Sequence, residues 1–367
     1  MQNIGGSQVF DYAVYAYFAA YLCYLGVAFF RNKVVGWLAT GLLAAGWVTH
    51  TVFLVERVQW YYQQHQTFVL PSTNMFEVIG YFAWLIVLAY LIAENFFLKT
   101  RAFGFLCLVV PLAAVAYASQ GMAPDPRELV PSLKSYWLKY HITAMITSYA
   151  LFALSASFAV AYVLVSRGFR GLDRIDKRFN LKFLDETSYK LVLVAFPVLT
   201  LGIGLGAVWA HDAWGRYWGW DPKEVWALIT WLVYLSYLHF RVQMSWLGYR
   251  SALLNIIGFG AVLITFQGVN MLDSIFKLNS IHAYATGTAG PFFLCALGLI
   301  VLIPVIMLML PKPNDDLQQF EQEWRESLRQ KQQRDAGGPA AGDSSNLRPA
   351  KPHAKADPAE DDGRGGR

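Results

Sequence analysis

Apolar residues fall into nine long runs separated by short polar stretches. The runs cover residues 12–30, 35–55, 77–97, 103–118, 141–165, 191–209, 222–240, 252–269 and 291–310. A bilayer-crossing helix needs roughly 17–25 predominantly apolar residues, and all but the fourth run reach that length. The pattern predicts an all-α polytopic transmembrane helical bundle of about eight or nine spans, with no internal repeat. The first run is too long for a signal peptide and lacks its basic start and small-residue cleavage site, so it reads as a retained span.

Basic residues in short loops stay on the cytoplasmic side. Arg31 and Lys33 mark one such loop, and Lys99 and Arg101 a second. Arg167, Arg170, Arg174, Lys177, Arg178 and Lys182 crowd a third, and Arg241 and Arg250 bracket a fourth. These loops alternate correctly if the N-terminus lies outside and the C-terminus in the cytoplasm. Loops 56–76, 119–140, 210–221 and 270–290 then face outward. Past the last run the character changes. Residues 314–335 are rich in Gln, Glu and Arg and suit a short helix, while 336–367 are Gly, Pro, Ala and mixed charge, a disordered composition. The expected organisation is a membrane domain over 1–311, containing a Trp-rich outer loop at 210–226, and a largely disordered cytoplasmic tail over 312–367.

Composition agrees with a chain solvated by lipid. Hydrophobic residues make up 56% and charged residues 15%, against about 25% charged in soluble domains. The net charge of +5 resides in loops rather than on one soluble face, which gives no case for nucleic acid. Cys23, Cys107 and Cys295 each sit inside an apolar run without a Cys-x-x-Cys motif, so they read as buried, inert thiols.

The chemistry concentrates between Trp209 and Arg241. Trp214, Trp218, Trp220 and Trp226 fall within thirteen residues. Tryptophan belts at the membrane surface are common, but four indoles beside one loop exceed what a belt needs. They suit a flat platform for a large planar ligand. Asp221-Pro222-Lys223-Glu224 carries the signature of a helix start: an Asp N-cap, Pro in the first turn and Glu completing a capping box. Arg216 and Lys223 suit either lipid headgroups or the anionic propionates of a porphyrin.

Histidine decides between an aromatic belt and a ligand site. A lone interfacial histidine is ordinarily a surface residue. His141 at the mouth of the fifth span and His282 before the ninth, however, share the outer face with the tryptophans. Two imidazoles give iron in haem its axial ligands. His239 lies seventeen residues after Pro222, roughly 25 Å down a helix at 1.5 Å per residue, where a titratable group is a functional candidate. As a ligand it would hold a second haem, with the other ligand from another subunit. The plainer reading is a helix-end histidine at the headgroups beside Arg241. His50 lies at a different depth. His65, His211 and His353 read as solvated. Ser72-Thr-Asn-Met-Phe-Glu77 reads as a further helix start, with Glu77 and Trp84 on one face.

The run Trp214-Gly-Arg-Tyr-Trp218-Gly-Trp220-Asp221-Pro-Lys-Glu224-Val-Trp226-Ala-Leu-Ile-Thr-Trp231, closing on Tyr-Leu-His239-Phe-Arg241, resembles the tryptophan-rich (WWD) signature of the cytochrome c assembly family. With Thr73-Asn74-Met75-Phe76-Glu77 it is similar to the CcsA/ResC branch, called CcsB in some naming. The resemblance covers about residues 35–310. It implies a component of system II cytochrome c biogenesis, multi-pass in the bacterial inner (plasma) membrane. Such a component takes up haem b and presents it at the periplasmic face for covalent attachment to Cys-x-x-Cys-His apocytochrome c. It implies a ResB-type partner subunit, with which the chain would form a cytochrome c synthase (haem lyase), and contact with membrane lipid. His141 and His282 match the two outer-face histidines as axial ligands, and His239 the intramembrane one. The chain departs from the family's pattern at His211, often Asn, and at Ser280-Ile-His282-Ala-Tyr, where the family has Gly-x-His-Ser-Tyr. The alternatives are a CcmC-type protein handing haem to a soluble chaperone, a haem b electron-transfer subunit, and a plain transporter with tryptophan anchors.

Overall fold

The computed structural model describes residues 6–66, 68–121, 135–167, 180–269 and 315–335, and all regular structure among them is helical. In chain order the helices are α1 (Gly6–Phe30), α2 (Lys33–His65), α3 (Met75–Ile92), α4 (Gly104–Cys107), α5 (Val109–Gly121), α6 (Tyr136–Ser166), α7 (Leu181–Trp214), α8 (Pro222–Gln243), α9 (Tyr249–Leu263) and α10 (Asp315–Asp335). α3 and α9 each end in a π-helical turn, Ala93–Leu98 and Ile264–Gly268. Seven of these helices are long and apolar enough to cross a membrane. The ninth apolar run, 291–310, lies outside the described residues. The chain divides into two units at Glu321, within α10, the polar helix expected from 314–335.

The fourth run forms a short apolar helix over Gly104–Ser119, below the length of the seven and irregular at Leu108. α4 stops at Cys107 and α5 restarts at Val109. Pro111 explains the irregularity: it has no N–H to give the carbonyl four residues back, which is that of Cys107, and its ring crowds that carbonyl.

Hydrophobicity alone does not separate inside from outside here, because Phe29, Phe30 and Leu201 are exposed. Lipid is as apolar as these side chains, so helix association relies on close packing of small residues and on interhelical hydrogen bonds. α6 shows this best. Its buried face includes Ser148, Ala150, Ala153, Ser155, Ala156 and Ala159. Ser155 donates to the Ser188 carbonyl of α7 at 2.8 Å, and Asn255 of α9 bonds both serines at 2.6 and 2.8 Å. Near the start of α7, Asp185 forms a buried two-pronged ion pair with Arg241 of α8 and accepts from the Gly248 N–H at 3.0 Å. On α3, Glu94 accepts from Tyr24 and Tyr90 at 2.7 Å each and from Thr40 at 2.5 Å. Polar side chains thus fasten helices to one another where apolar contact alone gives little preference.

The Asp185–Arg241 pair yields a direct test. Removing one partner of a buried pair strands the other and costs about 3–5 kcal/mol. Asp185→Ala should lower the thermal stability of the detergent-solubilised protein well below that of the parent. Asp185→Ala with Arg241→Leu should recover part of the loss. An unchanged unfolding temperature for Asp185→Ala would remove the pair from the account of stability.

Candidate functional site

The starts of α3, α6 and α8 and the ends of α7 and α9 meet at one end of the bundle. Between them lies a cleft of about 1120 Å³, including the part open to solvent. Its wall is predominantly apolar, with Met75, Met145, Ile146, Trp209 and Phe266 among its residues. The polar side chains that interrupt it include His141, Lys223 and Glu224.

His141 sits half-buried in the second turn of α6 and faces α7. Its Nδ1 is 2.8 Å from the backbone oxygen of Gly202. A carbonyl oxygen only accepts, so Nδ1 carries the proton and Nε2 is the basic ring nitrogen. The imidazole stacks on Trp209, with ring centroids 5.7 Å apart and planes 14° from parallel. A Cβ at Gly206 would stand 2.6 Å from Cε1, so the ring occupies room that any other residue there would fill.

The tryptophan-rich segment is not one flat surface. Trp214 completes α7 and packs edge-on against Trp209 at 4.7 Å, behind the cleft. Trp226 belongs to α8, where its carbonyl accepts from Thr265 at 3.0 Å. Between the helices, Trp218 and Trp220 stand at 88° to each other. Trp218 lines the cleft, whereas Trp220 is 71% exposed. The expected platform therefore reduces to Trp218 and Trp209 at the cleft wall. Trp209 was not singled out by the motif.

The capping box foreseen from Asp221 and Glu224 is present. Asp221 accepts from the Lys223 N–H at 2.9 Å. Glu224 accepts from the N–H groups of Gly219 at 2.7 Å and Asp221 at 3.1 Å. These two bonds bracket Trp220, whose φ of 59° is unusual for a bulky residue. Glu224 thereby holds the loop in shape while α8 begins. Lys223 points its half-buried side chain at the cleft and has no carboxylate within ion-pair distance among the described residues. Arg216 is exposed and folds over Gly219, where a Cβ would lie 2.5 Å from its guanidinium carbon.

The segment before α3 forms another part of the wall. Ser72, Thr73, Asn74 and Met75 line the cleft, and Glu77 fastens them from behind. Its carboxylate accepts from the Thr73 N–H and hydroxyl, both at 2.9 Å, and from Tyr61 of α2 at 3.1 Å. Asn74 caps α3 by accepting from the Glu77 N–H at 2.9 Å. Trp84, one turn-pair further along, bonds Thr51 of α2 at 2.8 Å, so Glu77 and Trp84 do share the α2-facing side.

The remaining histidines are dispersed. His239 lies on the exposed face of α8, away from the cleft residues. His50 is fully buried beside Tyr17, whose hydroxyl is 3.2 Å from its Nδ1. His211 is exposed and stacks on Tyr217, while His65 is half-buried against Tyr61 rather than solvated. His282 and His353 lie outside the described residues.

Residues 72–277 match the family described as Cytochrome C assembly protein. The cytochrome c biogenesis protein CcsA of Mesostigma viride is 31% identical over 283 residues, covering 70% of this chain and 88% of that protein. The CcsA protein of Gloeobacter violaceus is 32% identical over 321 residues, covering 72% and 91%. Among solved structures, one titled Cytochrome c Heme Lyase CcmF superposes with a TM-score of 0.55 at 18% identity. It covers 82% of this chain but 52% of the other, so this chain spans about half of that structure and the likeness is one of fold. The cleft wall from Ser72 to Phe266 lies inside the matched region, and the chain belongs to the cytochrome c assembly family as a multi-pass, CcsA-type membrane protein of cytochrome c biogenesis.

Proposed function

We propose that the cleft binds haem b and presents it, on the periplasmic face of a bacterial inner membrane, for covalent attachment to apocytochrome c. One observation supports this reading above the others: a histidine with its Nδ1 proton committed and a lysine with no carboxylate in ion-pair distance among the described residues share one apolar cleft. A porphyrin has apolar faces, an iron that takes imidazole nitrogen, and anionic propionates. The donor set fits each of these.

In this reading His141 and His282 are the axial ligands, and two imidazoles guard the iron from oxygen. Lys223 pairs with a propionate inside the cleft and Arg216 with one at its rim. Trp218 and Trp209 border the porphyrin, with Trp214 packed behind. Trp220 and Trp226, set by Asp221 and Glu224, fix the loop beside it. His239, exposed on α8, holds haem in transit together with a ligand from a ResB-type partner subunit. Each thiol of the Cys-x-x-Cys-His segment adds across one vinyl group: sulfur bonds one vinyl carbon and hydrogen goes to the other. The apocytochrome's own histidine then replaces one axial ligand. The chain's part is positioning and protection of the cargo, while the porphyrin supplies the reactive groups.

The matches to CcsA proteins favour this over chaperone delivery of the CcmC type. A haem b electron-transfer subunit would need facing histidines within the bilayer. Among the described residues, His50 is buried against Tyr17 and His239 faces outward.

Co-expression with a ResB-type partner and a Cys-x-x-Cys-His reporter tests the proposal. The parent should yield covalent haem on the reporter. His141→Gly with His282→Gly should lose both that product and the haem absorbance of the purified complex, with partial recovery in imidazole. Parental spectra in the double variant would reject the ligand assignment. Lys223→Ala should weaken haem retention about 10–100-fold, as loss of a charge-assisted bond costs about 1.5–3 kcal/mol. Lys223→Arg should retain most of it. Equal retention by both variants would remove the propionate contact.

A further inference from the structure

We infer that the face of α7 formed by Gly202, Gly206 and Trp209 is a positioning device that locks His141 in its Nδ1–H tautomer and so sets Nε2 as the nitrogen offered to iron. The inference rests on the haem reading above and deepens it. Three independent observations meet on this face. The Gly202 oxygen accepts from Nδ1 at 2.8 Å. Gly206 leaves the space that Cε1 and Nδ1 occupy, since a Cβ would stand 2.6 and 2.7 Å from them. Trp209 lies nearly parallel to the ring, 14° off. These residues are spaced i, i+4 and i+7, which puts them on one stripe of a helix.

Each contact restricts a different freedom. The stacking restricts tilt, the glycine sets depth, and the carbonyl fixes rotation and proton position. An imidazole that donates its second N–H to a carbonyl is a more basic metal ligand, and loss of such a partner typically costs 10–100-fold in metal affinity. The acceptor here is main chain, so no side-chain substitution removes it. The device therefore depends on the glycine that lets the ring approach. Gly202 is itself pressed by α6: a Cβ there would stand 2.7 Å from the Met145 sulfur and 3.2 Å from the Met145 backbone nitrogen. The two helices approach closely enough for backbone to serve as the ligand's hydrogen-bond partner.

The hydrogen bond is tested by substituting the imidazole itself. His141→Gly protein, purified with its partner subunit and loaded with haem, is titrated with 4-methylimidazole and with 1-methylimidazole. Both bind iron through one nitrogen and have equal bulk, but only the first retains an N–H. After normalising to their affinities for free ferric haem, 4-methylimidazole should restore the low-spin spectrum at about 10–100-fold lower concentration. Equal rescue would overturn the inference while leaving His141 a ligand. Full haem retention by His141→Gly without any azole would overturn the haem reading and the inference together. In the otherwise intact chain, Gly206→Ala should shift the haem midpoint potential and weaken retention. Gly204→Ala, whose Cβ meets nothing within 4 Å, should leave both unchanged. Identical potentials for the two glycine variants, at matched thermal stability, would also overturn it.

Discussion

The close approach of α6 to α7 is the contact on which the cleft depends. Lipid offers helices little reason to associate through apolar surface, so the pair is held by small residues and by hydrogen bonds. Ser155 and Ser188, joined by Asn255, hold the middle of the pair. At the end where the cleft opens, His141 occupies the hollow above Gly206 and bonds the Gly202 carbonyl. The same contact packs the helices and orients the one described histidine of the cleft. A substitution that separated α6 from α7 would alter both at once, which is why stability and site geometry must be measured side by side.

Around that pair the site is shaped by carboxylates that hold its backbone in place. Glu77 draws Thr73 toward Tyr61 and so shapes the wall before α3. Glu224 holds Gly219 and Asp221 on either side of Trp220, a residue in left-handed backbone conformation. Such a conformation costs on the order of 1–3 kcal/mol and persists only when its surroundings impose it. Both carboxylates are engaged by backbone N–H groups, and no carboxylate among the described residues stands within ion-pair distance of Lys223. The result is a predominantly apolar cavity whose described polar groups include the His141 imidazole, the Lys223 ammonium and the Glu224 carboxylate.

Apolar run length located every described membrane helix, because a bilayer demands long uninterrupted apolar segments. It erred where tertiary contacts overrode that signal. The second apolar run ends at Val55, before Glu56 and Arg57, yet α2 continues to His65. Arg57 and Tyr61 are buried there, and Tyr61 bonds Glu77. Pro111 made the fourth run irregular by a local rule that hydrophobicity does not register. The capping box at Asp221 was readable because its chemistry lies within four consecutive residues. The pairing of His141 with Gly202, Gly206 and Trp209 was not, since it joins positions about sixty residues apart on two helices. Spacing of the three along α7 marks a shared stripe but not what packs on it. The four tryptophans looked like one surface because sequence proximity hides that α7 ends at Trp214 and α8 has begun before Trp226.

Coordination of iron by His141 Nε2 inside this cleft is the central claim, and pulsed electron paramagnetic resonance on protein carrying ¹⁵N-labelled histidine measures it most directly. The ferric, haem-loaded complex should be low-spin and show strong ¹⁵N couplings from axial imidazole. One of these should vanish when His141 alone is replaced by glycine and unlabelled imidazole is supplied. A ferric centre whose histidine couplings are the same with and without His141 would contradict the account.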